Sequence, residues 1–295
     1  MSYFFDHTTF ESDAWNDWSV NPTYKHLVII IKEEHTDNHC LSFAQHLLGT
    51  TISKTFSGLT SGTEYVISAR VKRLEGSDFD PELRWTFDGH DSDTAERLTS
   101  QDWHTYRARF TASGGEQRVA LTVRSLPPIP DSAPSPAHFL LDEIWIHPSQ
   151  CEELFDGSPH QLIREGAKID REVMTIHFVS GEGQAGIHRY TYQTPGKLEK
   201  EALAMGMGDK KQELKLDLNG AFSQVVFQLT WLQADAKIQF FSPSHKPLHT
   251  LDLKKVDGLD HSINYRCGDA ETIASIVIEA QDHIYMDFFK FTTPL

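Results

Sequence analysis

Apolar and polar residues alternate along most of this chain, and stretches with a 3.6-residue period are scarce. Across residues 64–72, Tyr65, Ile67, Ala69 and Val71 share one side, while Glu64, Ser68, Arg70 and Lys72 share the other. Successive side chains of a strand point to opposite faces, so this is a half-buried strand. The same period turns Leu83, Trp85 and Phe87 inward, then Tyr106, Ala108 and Phe110, then Val119, Leu121 and Val123. Turn signals separate these runs at Ser61-Gly62, Asp88-Gly89-His90-Asp91 and Ser113-Gly114-Gly115. Short alternating strands at this spacing predict a β-sandwich.

The pattern repeats after residue 153, with strands predicted at 173–178, 214–218, 224–231, 236–241, 248–253, 275–279 and 284–291. Only residues 198–205 read as helical. The proline-rich run 127–136 has the composition of a linker. Residues 139–146 nevertheless read as the closing strand of the first sandwich, so the run is taken as a long surface loop within it. The fold class predicted is all-β, with two sandwiches in tandem over residues 1–149 and 150–295.

A length of 295 residues suits two domains of ordinary size, and 39% hydrophobic with 11% aromatic residues can fill their cores. The formal charge of −15 leaves no basic footprint, which excludes nucleic acid or an anionic membrane surface as the main partner. Excess carboxylates suit calcium or simple solubility. Cys40, Cys151 and Cys267 are too few and too far apart for a disulfide framework, and no Cys/His spacing marks a zinc site. The opening residues 1–7 lack a basic region followed by an apolar core, so no secretory signal is expected. The longest apolar run, Leu27-Val28-Ile29-Ile30-Ile31, is far short of a membrane span. A soluble protein made in a reducing compartment is the expectation, and an extracellular role would need export by a non-signal route.

Five pieces then stand in a telling order: the acidic, tryptophan-bearing 10–15, then 52–59, 62–72, 103–110 and 139–146. Their order and spacing resemble the galactose-binding-domain-like jelly rolls, above all the carbohydrate-binding modules attached to xylanases and cellulases. The resemblance covers residues 8–147 and, more weakly, 153–293, where Ile284-Tyr285-Met286-Asp287-Phe288-Phe289 echoes the first closing strand. Residues 235–243 followed by 247–250 likewise look like a hairpin of that family. Two tandem jelly-roll sandwiches are what the resemblance implies, with a role in binding and not in catalysis.

The resemblance also implies a structural calcium ion pinning the opening segment to the closing strand. The matching positions are Glu11 and Asp142, with Asp13 as a helper. Calcium takes six to eight hard oxygens, and backbone carbonyls can complete a pair of carboxylates. The alternative for Asp142 is a salt bridge or a cap on a loop amide. Asp287, paired with Asp156, invites the same expectation in the second sandwich.

Sugar-binding sandwiches stack aromatic rings on sugar faces and fix the hydroxyls with polar groups. Trp15, Trp18 and Trp145 are the aromatics expected near a binding surface, whereas Trp85, Trp103 and Trp231 are expected in cores. Arg70, Arg84, Arg107 and Arg109 fall on the polar sides of their strands and would line one face if those strands were neighbours. Their planar, forked donors suit sugar hydroxyls or the carboxylate of an anionic saccharide. The alternative is a solvated face paired with Glu64, Glu82 and Glu96. The ligand-binding expectation is Trp18, Arg70, Arg84 and Arg107.

Catalysis finds little support. No nucleophile elbow, P-loop, HExxH or dinucleotide fingerprint is present, and no pair of carboxylates stands out for glycoside hydrolysis. The sixteen histidines are scattered singly, and the glycine-rich 181–186 follows a strand without opening a helix. The predicted function is non-catalytic binding of an oligosaccharide or polysaccharide. A receptor-binding or targeting module of a toxin or surface assembly, meeting a protein receptor, is the rival, and a glycan-active hydrolase comes third.

Overall fold

The computed structural model describes residues 3–33, 36–43, 49–77, 80–124, 138–192, 198, 200–208, 210–230, 232–255, 260–268 and 271–293. The chain divides into two compact units, Met1–Pro148 and Ser149–Leu295. In the first, two antiparallel sheets face one another. One runs β3 (Val28–Lys32), β4 (His39–Phe43), β11 (Phe139–Pro148), β6 (Glu64–Arg73) and β9 (His104–Thr111), with β1 (Asp6–Thr8) also paired to β11. The other runs β2 (Ser19–Val20), β5 (Thr51–Leu59), β10 (Gly115–Arg124), β7 (Glu82–Phe87) and β8 (His90–Arg97). From β4 to β11 the chain passes repeatedly from one sheet to the other, as in a jelly roll.

The core is the inward half of the alternation. Tyr65, Ile67, Ala69 and Val71 of β6 meet Leu83, Trp85 and Phe87 of β7 and Val119, Leu121 and Val123 of β10 in one buried cluster. Each large apolar side chain taken fully out of water contributes about 1.5–3 kcal/mol. Trp85 stacks on Tyr106 with ring centres 6.2 Å apart.

The second unit repeats the plan. Its seven-stranded sheet runs β13 (Gln161–Ile163), β16 (Ala185–Arg189), β17 (Glu201–Met205), β24 (Ile284–Thr292), β19 (Gln224–Leu229) and β22 (His261–Arg266), with β12 (Gln150–Glu153) also on β24. Its six-stranded sheet runs β14 (Lys168–Asp170), β15 (Met174–Gly181), β18 (Lys211–Phe222), β23 (Ile273–Gln281), β20 (Ala236–Phe241) and β21 (Pro247–Leu253). The hairpin expected over 235–250 is β20–β21. The helix expected at 198–205 is instead β17, paired on both sides by β16 and β24. Alanines favour helices only weakly, and two neighbouring strands override them. The proline run 127–136 and Trp231 lie outside the described residues. Among the described residues, no helix is long and apolar enough to cross a membrane.

The echo between the two closing strands has a local cause. In each, the aspartate precedes a residue in the left-handed region: Glu143 at φ 46° after Asp142, and Phe288 at φ 55° after Asp287. The β11 ladder to β6 shifts register between Asp142 and Trp145, and the β24 ladder to β19 shifts near Asp287. Such a bulge turns a backbone N–H out of the ladder, and the short aspartate side chain accepts it. The Phe288 N–H donates to Asp287 Oδ1 at 2.8 Å, and the Glu143 N–H bonds the Asp142 carboxylate.

Candidate functional site

The outer face of the sheet β3–β4–β11–β6–β9 gathers the chemistry of the first unit. Residues directly opposite across a ladder share a face. The pairs Arg70↔Asp142 between β6 and β11, and Ser68↔Arg107 and Val66↔Arg109 between β6 and β9, therefore bring Arg70, Arg107 and Arg109 to this side with Asp142. Lys72 follows Arg70 on the same side of β6. Arg84 does not join them. It lies on β7 in the opposing sheet, facing away from the core, between Glu82 Oε1 at 3.5 Å and Asp91 Oδ2 at 3.8 Å. Alternation told which residues faced outward but not to which sheet each strand belonged.

Trp103, expected in the core, is half-buried on this outer face. Its ring centre lies 5.1 Å from the Arg70 guanidinium carbon and 5.0 Å from Lys72 Nζ, close enough for both cations to interact with its π face. Its Nε1–H donates to Glu33 Oε1 at 3.3 Å. The signal was present in the sequence: Trp103 has the parity of Arg107 and Arg109, opposite to the buried Tyr106, Ala108 and Phe110. Glu33 also accepts a hydrogen bond from the Lys72 ammonium. Burial pushes the Glu33 carboxyl up, but Lys72, with the Trp103 and Asn38 donors, outweighs it and holds the group below its usual range.

Glu143, re-aimed by the bulge, meets Arg70 Nη1 at 3.2 Å through Oε1, while its Oε2 is buried without a hydrogen-bond partner. On the same face Asp142 Oδ1 and Trp145 Nε1–H are likewise buried and unmatched. Unmet donors and acceptors of this kind cost about 1–3 kcal/mol each, and a polar ligand or water recovers that cost.

The other expected tryptophans do not form a stacking surface. Trp18 is 3% exposed and belongs to the core, tilted against Trp85 with ring centres 6.3 Å apart. Its Nε1–H donates to Thr8 Oγ1 at 3.2 Å, so the opening loop folds the ring inward to close the sandwich end. Trp15 is partly buried against the same core. Trp145 is on the outer face but 8% exposed, because the β1 residue His7 stacks on it with ring centres 3.5 Å apart and planes 11° from parallel. Packing against that ring lowers the His7 imidazole below its usual pKa, against the opposing pull of Asp6.

The carboxylates expected to hold calcium each have partners within the protein. Glu11 Oε2 lies 3.1 Å from His39 Nδ1, and its Oε1 accepts the His39 backbone N–H at 3.3 Å. Asp13 is 4.0 Å from the other nitrogen of that ring. Asp142 is 2% exposed. Burial first, and then the charge of Glu143, push its carboxyl up to about 6 against the Glu143 amide, Asn38 and Arg70. In the second unit Asp156 binds Lys200 Nζ at 3.1 Å, while Asp287 serves its bulge. Among the described residues, no three His, Cys, Asp or Glu side chains converge in a metal-holding arrangement.

No family model and no curated protein matches the chain. Solved structures do. The CBM22-1-CBM22-2 tandem domain of Paenibacillus barcinonensis Xyn10C shares 13% identity, with 99% of this chain and 98% of that one covered and a TM-score of 0.38. The C-terminal domain of EclA, titled a sugar-binding protein, shares 26% identity over 48% of this chain and 97% of that one, at a TM-score of 0.32. TmCBM61 in complex with beta-1,4-galactotriose shares 13% over 48% of this chain and 94% of that one, at 0.37. Each unit here is a β-sandwich of two antiparallel sheets. At such TM-scores the likenesses carry no weight for a ligand, which must come from the side chains.

Proposed function

We propose that the first unit binds a neutral saccharide on its outer sheet face, around Trp103, Arg70, Lys72, Glu33 and Glu143, without catalysis. The observation that carries this is the Trp103 ring set between paired charges. An indole face suits the C–H side of a pyranose, and its flanking donors and acceptors suit hydroxyls.

The charges also bear on the kind of sugar. Arg70 is matched by Glu143, Lys72 by Glu33, and Arg109 by Glu64 at 3.2 Å. A uronic acid would have to displace an internal carboxylate to claim an arginine, whereas a hydroxyl can donate to the carboxylate and accept from the cation together. Glu33 is held below its usual range, the opposite of the raised value that a general acid in glycoside cleavage requires.

Native gel electrophoresis through xylan, β-1,4-galactan, β-glucan and polygalacturonate tests the proposal. Retardation by a neutral polymer, weakened roughly thirtyfold or more in Trp103→Ala, is the expected result, equivalent to about 2 kcal/mol of a central anchor. Retardation by polygalacturonate alone, or an unchanged Trp103→Ala, would refute it.

A further inference from the structure

We propose that a second copy of this chain pairs along the free edge of β3, antiparallel and about a two-fold axis at Ile31, so that one sheet continues across two molecules. The inference does not rest on the saccharide reading.

The hydrogen-bond phase of β3 decides which of its backbone groups are available. β3 pairs with β4 from Val28↔Phe43 to Lys32↔His39. In the next rung the Glu33 N–H donates to the Asn38 carbonyl at 2.8 Å. Bonded pairs alternate along an antiparallel ladder, so Ile31 and Ile29 direct their N–H and C=O groups to β4, while Val28, Ile30 and Lys32 turn theirs to the opposite side. Among the described residues no strand lies on that side. Val28 is closed off at 2% exposure, but Ile30 is half-buried and Lys32 exposed. A row of open donors and acceptors of this kind is a template for another strand.

The other outer strands are protected. β2, β13 and β14 are two or three residues long. The exposed positions of β8, β21 and β22 are chiefly polar or charged. The Arg107 carbonyl of β9 accepts Thr94 Oγ1 of β8 at 3.2 Å. β3 instead presents an unbroken run of valine and isoleucine without proline or bulge, and Ile29 is 49% exposed.

The partner that fits this edge is the edge itself. With Val28 closed, the open groups of both Ile30 and Lys32 are met when Ile30 of each copy lies opposite Lys32 of the other, each such rung exchanging a pair of hydrogen bonds. That register sets Ile31 against its own counterpart, in the non-bonded kind of pair whose side chains approach most closely. Ile29 lies diagonally beside it, so four isoleucines form one apolar strip on the outer face. The contact is isologous and closes on itself.

The net charge of −15 opposes any association that lacks local complementarity. Here the flanks of the strand supply it. Lys25 and His26 stand exposed in the 3-10 turn Pro22–Leu27 just before β3. Asp37, whose side chain is 99% exposed and meets Lys32 Nζ at 2.6 Å, follows just after it. Antiparallel pairing brings the basic flank of each copy alongside the acidic flank of the other, with Lys25 beside Asp37 at both ends.

Sedimentation equilibrium of the full chain tests this. The weight-average mass should rise from 33.5 kDa toward twice that value as concentration is raised. Ile31→Lys sets two ammonium groups opposite each other at the axis and should weaken association about tenfold or more, with an unchanged circular dichroism spectrum. Asp37→Lys should weaken it too, and adding Lys25→Asp should restore it. The register is tested with Cys40 replaced by alanine, because Cys40 lies opposite Ile31 on β4 and would compete for a disulfide. In that chain Ile31→Cys should cross-link two copies on mild oxidation, the paired positions being close enough for a disulfide. Ile29→Cys should not, since its two copies would stand about 13 Å apart. A mass that stays at 33.5 kDa at every concentration, leaving the edge to water or to a strand of another protein, overturns the proposal. So does self-association that Ile31→Lys leaves intact, or cross-linking at Ile29→Cys without cross-linking at Ile31→Cys.

Discussion

Replacing Asp142 by asparagine should stabilise the first unit at neutral pH. Asp142 is 2% exposed and Oδ1 has no hydrogen-bond partner, while its carboxyl is pushed from the ordinary 3.8 up to about 6. A pKa raised on folding means that the folded state holds the proton more tightly. Between pH 3.8 and about 6 the native protein therefore binds more protons than the unfolded chain, and stability falls as pH rises through that window. A displacement of about two pH units corresponds to about 3 kcal/mol, withheld in full above pH 6 and recovered below pH 4. Asparagine keeps an oxygen to accept the Glu143 amide and removes the buried charge, so Asp142→Asn should gain up to about 3 kcal/mol at pH 7.5 and almost nothing at pH 4. Urea unfolding of both proteins at the two pH values measures this. A loss of stability at pH 7.5 would refute the reasoning, because it would mean that the partners of the carboxylate outweigh the cost of burying its charge.

Other expectations rest on the same geometry. Exhaustive chelation should leave the melting curve unmoved, since Glu11 and Asp13 meet His39 and Asp142 accepts the Glu143 amide; a fall of several degrees would show a metal holding them. Trp18→Ala should cost about 3–5 kcal/mol in chemical denaturation, as expected for an aromatic removed from a core, while leaving saccharide affinity of the folded protein unchanged. Arg84→Ala should alter neither binding nor, beyond about 1 kcal/mol, stability, its ion pairs being partly solvated and on the opposite sheet. Arg70→Ala should weaken binding in the same gels, because it strips Glu143 of its partner; equal effects of the two substitutions would place the site elsewhere.

Much of the sandwich was legible because burial on one face imposes a two-residue period, and Tyr65 to Val71 or Tyr106 to Phe110 can satisfy it in only one way. Sheet membership was not legible, since Arg84 and Arg107 have the same parity in their strands yet belong to opposite layers. Trp103 shows a misread period: it was expected inward, yet it shares the parity of the outward Arg107 and Arg109. For residues 198–205, local helix preference pointed one way and the pairing of β17 with two neighbours the other, and long-range pairing won. The aspartates of the closing strands were visible as an oddity in an apolar run. Their use, accepting the amide that a left-handed Glu143 or Phe288 turns out of the ladder, depends on a bulge that no residue pattern announces.

The central claim is that a neutral sugar ring lies against Trp103. Indole N–H resonances followed by NMR during titration with a neutral oligosaccharide test it most directly. The Trp103 signal should move saturably while those of Trp18 and Trp85, enclosed in the core, stay in place. A bound oligosaccharide that leaves Trp103 still, or that shifts Trp18, would contradict the account.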